Sequence, residues 1–272
     1  MREAGTRVQE SALPSRGPSG LARRAESGEP KVRDAGTRVQ ESALPSRGPS
    51  GLARRAESGN DMIVDLHAHT APRSNCSRTT LEELVETARA RGMDALCITE
   101  HDVRWPADEL TDASARLDFP LIPGVELTTD VGHVLAFGEL RKPLWMGYTL
   151  AELVEECEDS DSALVLPHPL RRFAGERAIK GGRVPPTATE IVVLPQWEMV
   201  HAIEAASTQT TELEHSLTAE ALAVSPRPSV GASDAHGPGL AGAYATEVDG
   251  TIETAADLAR AIRAGHVRPI LP

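Results

Sequence analysis

The residues with obvious chemical capacity are histidines and carboxylates set at alternate positions. The first group is Asp65-Leu66-His67-Ala68-His69-Thr70. On an extended chain His67 and His69 point the same way, with Asp65 in line behind them. Two imidazoles so spaced can grip one metal ion, and Asp65 is placed to hold a ring N–H from behind. A lone pair of this kind is weak evidence, because exposed histidines on a strand look the same. The theme repeats at Thr99-Glu100-His101-Asp102, at Pro123-Gly124-Val125-Glu126, at His133, at Pro167-His168-Pro169 and at Ser233-Asp234-Ala235-His236. Six of the nine histidines fall in these groups. Imidazole with a few carboxylates suits Zn²⁺, Mn²⁺ or Fe²⁺, and so many ligands exceed the needs of one tetrahedral ion. Two or three ions sharing a bridging carboxylate, Glu126 or Asp234, is the natural reading.

These groups need elements to bring them together, and the chain supplies strands and helices in alternation. Ile63–Leu66, Ala95–Thr99, Leu121–Val125, His133–Phe137, Ala163–Leu166, Val200–Ala205 and Ser229–Ala232 are apolar runs of strand length. Thr80-Leu81-Glu82-Glu83 and Thr149-Leu150-Ala151-Glu152 open capped helices, Ala219–Ala223 lies in another, and Thr254 caps a last one over 255–264. Segment 171–198, with Gly181-Gly182 and Pro185-Pro186, reads as a long loop beside the site. Seven such units predict a closed or nearly closed parallel α/β barrel, whose C-terminal strand ends converge on one mouth. The polar groups sit at those ends, apart from His133, which opens its strand.

The ordered series DLHAHT, TEHD, PGVE, a later His, PHP and SDAH resembles the polymerase-and-histidinol-phosphatase (PHP) family of metal-dependent phosphoesterases. The likeness runs from Met62 to about Pro269. It implies a distorted (β/α)7 TIM-like barrel carrying a two- or three-metal site. Carried over by position, His67, His69, Glu126 and Asp234 hold the first metal, His101 and His236 the second, and Glu126, His133 and His168 the third. Asp65, Glu100 (where aspartate is common) and Asp102 are expected to hold these ligands from behind. One departure concerns the turn after the first motif, where many members place a further acidic or histidine ligand. Here it reads Arg73-Ser74-Asn75-Cys76-Ser77. Asn75 is a poor ligand and Cys76 a soft one, so the second metal is expected to be under-coordinated, either weaker or completed by water, with Cys76 read as a small packed thiol ahead of a zinc ligand.

Outside the motifs, Arg171 and Arg172 follow His168 directly. Arg171 is read as a phosphate clamp, since the guanidinium fork matches phosphate oxygens. Glu204 ends a strand and is equally a support for a ligand or a solvated side chain. His201, His215 and His266 are read as surface or satisfied histidines.

Composition narrows the function classes. The 272 residues carry a net charge of −12 and only 3% aromatic side chains. Residues 1–61 hold 11 basic and 8 acidic side chains, leaving 17 basic and 32 acidic for 62–272. That acidic balance disfavours binding to duplex phosphates. Three widely spaced cysteines predict reduced thiols in a cytoplasmic protein. No apolar run reaches membrane-span length and no signal-peptide core is seen. Residues 4–28 and 35–59 are identical at an offset of 31. This Arg-, Ser-, Gly- and Pro-rich segment is expected to be disordered, with Met62 as the natural start. A basic tail binding nucleic acid ranks below that reading.

The expected activity is hydrolysis of a phosphomonoester, nucleotide or short oligonucleotide by a metal-activated hydroxide. The rivals are a histidinol-phosphate phosphatase and a non-catalytic metal-binding accessory module. A polymerase-embedded role is disfavoured, since no polymerase sequence follows in the chain.

Overall fold

The computed structural model describes residues 61–158 and 160–272. The repeat and the start expected at Met62 lie outside them, apart from Met62 itself. In order along the chain come β1 (Met62–Asp65), α1 (Leu81–Ala90), β2 (Ala95–Ile98), α2 (Ala107–Leu117), β3 (Leu121–Thr129), β4 (Gly132–Phe137), α3 (Leu150–Glu158), β5 (Ala163–Leu166), α4 (Glu176–Lys180), α5 (Ala188–Ile191), α6 (Pro195–Met199), β6 (Ala202–Ala206), α7 (Glu212–Val224), β7 (Ser229–Gly231), β8 (Ala245–Val248), α8 (Ala255–Ala264) and β9 (Val267–Ile270).

Helix starts follow the capping chemistry. At α1, Thr80 Oγ1 accepts from Glu83 N at 3.3 Å while Glu83 Oε2 accepts from Thr80 N at 2.9 Å. The same reciprocal pair recurs at Thr149 with Glu152, Thr211 with Glu214 and Thr254 with Asp257. Each satisfies two orphan donors of a first turn.

The strands form one sheet in the order β7-β6-β5-β4-β3-β2-β1-β8-β9. The end strand β7 meets β8, next to the other end, where Gly231 N donates to Thr246 Oγ1 at 3.1 Å and that hydroxyl donates to Gly231 O at 2.8 Å. Side-chain bonding thus replaces a ladder at this seam, and the fold is α/β with a nearly closed barrel-shaped sheet. Gly231 is required there, because a Cβ would lie 2.5 Å from Ala245 O. Pairing is less uniform than the expected parallel sheet. β1–β2, β2–β3, β5–β6 and β6–β7 are parallel, whereas β3–β4, β4–β5, β1–β8 and β8–β9 are antiparallel. Segment 171–198 also differs from the expected loop, since it contains α4, α5 and α6.

Alternation along each strand divides the core. Val64, Cys97, Ile122, Leu135, Val165 and Val230 cluster inside the barrel with Leu258 and Ile262 of α8. Ile63, Leu96, Ile98 and Leu121 face outward against α1 and α2. Leu127, Val134, Leu164 and Ile203 face α3 and its neighbours. Strands apolar on both faces are what helix-covered sheets require. The inward row then changes character at the mouth: Cys97 leads to His101, Ile122 to Glu126, and Leu135 back to His133.

Candidate metal centre

Each polar group rides on the inward row of a strand or on the segment just past it. The strand β1 stops at Asp65, so His67 and His69 lie beyond it on an extended segment held by the bridge Ala68–Ala235. Ala235 separates Asp234 from His236, so that one bridge registers both alternating pairs against each other. His101 bridges Glu126, and Thr128 pairs with His133. Asp234 and His168 have φ of 51° and 31°. Non-glycine residues in that region carry backbone strain, which collects at functional sites.

The side chains meet in one buried cluster. His67 Nε2 lies 3.1 Å from His69 Nε2 and 3.3 Å from both Glu126 Oε2 and Asp234 Oδ1. His69 Nε2 lies 3.2 Å from Glu126 Oε2 and 3.4 Å from Asp234 Oδ1. These are five edges of a four-atom figure. A tetrahedral ion with bonds of about 2.0–2.1 Å has ligand atoms about 3.3–3.4 Å apart, so the figure has the size of a zinc-type shell.

His67 Nδ1 sits 3.0 Å from Glu204 Oε2, which accepts the ring N–H, so Nε2 is the nitrogen turned to the cluster. It faces another nitrogen and two carboxylate oxygens. Glu126 Oε2 and Asp234 Oδ1 are buried without a hydrogen bond. Buried anions are costly unless positive charge is paired with them. A divalent cation would supply that charge, so the residues fit the metals that their types suggest.

Glu126 divides its oxygens between two sets of nitrogens. Oε2 faces His67, His69 and, at 3.1 Å, His101 Nδ1. Oε1 faces His133 Nδ1 at 2.8 Å and His168 Nε2 at 3.0 Å. That is bridging geometry, and it favours Glu126 over Asp234, whose Oδ2 accepts from Arg171 Nη2 at 2.7 Å. Four groupings of potential ligand atoms within 4.8 Å occur among the described residues: His67, His69 and Asp234; His67, Glu126 and His168; His101, Glu126 and His133; and Cys76 with His69, His101 and His236.

Electrostatics match this placement. Burial pushes Glu126 and Asp234 up, but the neighbouring histidines outweigh it and hold both carboxyls well below the usual range. Burial pushes His67 down, yet the Asp234 and Glu126 carboxylates raise it well above its ordinary value. The anionic pair thus draws positive charge into the centre. Burial lowers His101 to about 4, which keeps its imidazole neutral and able to ligate.

The supporting residues differ from expectation in detail. Asp65 holds no ring N–H. Its Oδ1 accepts from His67 N at 3.3 Å and Ser233 N at 2.9 Å, and its Oδ2 from Gly242 N at 2.7 Å. It orders backbone, because the strand turns before its carboxylate can reach a ring. Glu204 performs the ring-holding role instead, and its Oε1 also accepts from His168 N at 3.0 Å. Glu100 lies 3.9 Å from His69 Nδ1 and accepts from the hydroxyls of Thr70 and Ser74 and from Trp105 Nε1. Asp102 accepts from Thr128 N at 2.7 Å and Thr128 Oγ1 at 2.8 Å, and so secures the strand between Glu126 and His133. Cys76 is exposed rather than packed. His201 and His215 are satisfied within the fold by Leu164 N and by Thr210 and Ser207. Arg172 donates to Asp130 O, away from the cluster.

Comparison with known proteins agrees with this architecture. The PHP domain family model matches residues 65–180, and the PHP-associated model matches residues 214–267. Error-prone DNA polymerases of Mycobacterium bovis and Mycobacterium tuberculosis are 41% identical over 64 residues, which is 24% of this chain. The chain spans only 6% of the length of those polymerases. Among solved structures, PsfC from Pseudomonas syringae superposes with a TM-score of 0.53 at 20% identity, covering 78% of this chain and 92% of that one. A two-domain protein from Bacteroides vulgatus containing a predicted PHP-like metal-dependent phosphoesterase gives a TM-score of 0.53 at 19% identity, covering 78% and 65%. An amidohydrolase from Chromobacterium violaceum gives 0.51 at 16% identity, covering 76% and 98%. At these identities the likeness is one of fold.

Proposed function

The chain belongs to the PHP domain family, and on that premise we propose that it is a metal-dependent phosphoesterase acting on a phosphomonoester, nucleotide or short oligonucleotide. The observation that carries this reading is the four-atom figure of His67, His69, Glu126 and Asp234, with the second oxygen of Glu126 turned to His133 and His168. His67, His69, Glu126 and Asp234 would hold one ion, Glu126, His133 and His168 another, and His101 with His236 a further one. Divalent ions bound there, Zn²⁺, Mn²⁺ or Fe²⁺, would supply Lewis-acid neutralisation of phosphoryl oxygens and activation of water.

The protein's own groups set the rest. Glu204 fixes the tautomer and tilt of His67, and Asp102 and Asp65 fix the backbone on which the ligands ride. Arg171 is a third exposed, with one N–H engaged by Asp234. Its guanidinium has further donors to offer a phosphate oxygen entering the mouth. A side-chain nucleophile is not needed in this scheme. Among the described residues no helix is long and apolar enough to cross a membrane, and we place the protein's work in the cytoplasm.

The test is metal analysis of the purified full chain joined to a phosphate-release screen over phosphomonoesters, nucleoside bisphosphates and short oligonucleotides. Bound divalent metal with release that stops on chelation is the expected result. Bound metal with no release from any class would leave a metal-binding accessory module instead.

A further inference from the structure

The turn after the first motif offers a thiol where the family pattern has an acidic residue or a histidine. Cys76 Sγ and one ring nitrogen each of His69, His101 and His236 lie within 4.8 Å of one another. His69 Nε2 is already committed to Glu126 Oε2 and Asp234 Oδ1, at 3.2 and 3.4 Å. His101 Nδ1 faces Glu126 Oε2 at 3.1 Å and His236 Nδ1 faces Asp234 O at 2.9 Å, so each ring has its other nitrogen to offer beside the thiol. Cys97 and Cys157 lie inside the apolar core, whereas Cys76 is exposed at the mouth. The turn that carries Cys76 is braced toward the site: Ser74 Oγ reaches His69 Nδ1 at 3.4 Å and Ser77 Oγ donates to His69 O at 2.8 Å.

We propose that Cys76 is the third protein ligand of the metal position formed by His101 and His236, which makes it a Cys-His-His site that selects Zn²⁺ over Mn²⁺. This rests on the metal-centre reading above and adds the ligand and the ion it favours. Three protein ligands with one open position is the pattern of a working zinc site rather than a closed structural one. A thiolate is a soft donor that suits zinc, while manganese prefers carboxylate and water. On binding, the Cys76 sulfur forms a bond to the ion and its proton passes to solvent.

The experiment uses the full chain, stripped of metal and reloaded with Co²⁺ in place of Zn²⁺. A sulfur-to-cobalt charge-transfer band should appear in the near ultraviolet and be absent from Cys76→Ser. In the unmodified protein, alkylation of Cys76 read by peptide mass spectrometry should be fast without metal and slow with zinc. Cys76→Ser should weaken zinc binding at one position by at least about tenfold. Cys76→Asp should restore binding with the preference moved toward Mn²⁺. A cobalt-loaded protein with no such band, whose Cys76 alkylates equally with and without zinc, overturns the proposal while the metal centre stands. Failure of the chain to take up any divalent ion overturns both.

Discussion

His67 and Glu204 form a wholly buried pair, with Nδ1 3.0 Å from Oε2, and the other oxygen of Glu204 holds the backbone N–H of His168. One carboxylate therefore orients side chains proposed for two metal positions. Glu204→Gln keeps the size and removes the charge. Metal affinity should fall by about 10–100-fold, the usual cost of losing such a partner. Chelator competition checks this, and unchanged competition in a folded variant would refute the role.

Glu126 and Asp234 are both buried carboxylates, but only Glu126 turns its two oxygens to different sets of histidines. Glu126→Gln should lower metal content by more than one ion per chain, and Asp234→Asn by one at most. Elemental analysis of the two variants side by side decides it. Equal loss would show that Glu126 does not bridge.

Arg171→Lys retains a positive charge and loses the planar fork. If the fork binds phosphate, kcat/KM should drop by about thirtyfold, the equivalent of about 2 kcal/mol for a charge-assisted hydrogen bond, with metal content intact. A loss of metal instead would mean that Arg171 acts through Asp234 alone.

His201 gives a pH dependence separate from the metal site. Burial first, then Arg263 and Arg227, lower it to about 4, and Leu164 N donates to its Nδ1 at 2.9 Å. The unfolded chain titrates near ~6.5 and so binds the proton more readily. Stability from this group is present above that value and is lost as pH falls toward 4. The Asn side chain keeps an acceptor and cannot titrate. His201→Asn should therefore lose less melting temperature between neutral pH and mildly acidic pH than the parent. Parallel curves would rule this out.

Removing residues 1–61 should leave melting temperature and metal content unchanged, because that repeat has no core-forming periodicity. A large fall in either would assign it a structural part.

The residues that meet in the buried cluster are legible in the sequence because strand parity carries the inward row directly from Cys97 to His101 and from Ile122 to Glu126. The capped helices were readable because Thr with Glu or Asp three residues on is a local signal. The hairpin of β3 and β4 departs from the expected parallel sheet, and its signal is that only Asp130 and Val131 separate the strands, a link too short for a parallel crossover. The strands β8 and β9 are four residues each, the latter containing Pro269, and carry little period of their own. Helix α2 begins after Pro106 without a side-chain cap, so its start left no signature. Glu204 is ambiguous in the sequence because one glutamate at a strand end looks alike whether it meets water or a buried imidazole. The role of Asp65 depends on Ser233 and Gly242, which no local pattern links to it.

Asp65 accepts backbone N–H groups from residues 168 and 177 positions further along the chain. Its strand β1 also lies between β2 and β8 in the sheet. The strand β1 therefore completes its pairing only after nearly the whole domain has been synthesised. During translation the histidines of the opening motif leave the ribosome long before Asp234 and His236 exist to meet them. Assembly is thus slow and late, as distant pairings dictate. The four-atom figure closes near the end of that process, so an ion that needs all four atoms would be captured by the finished barrel and not by the growing chain. Ribosome-bound chains halted before Asp234 should accordingly hold no ion.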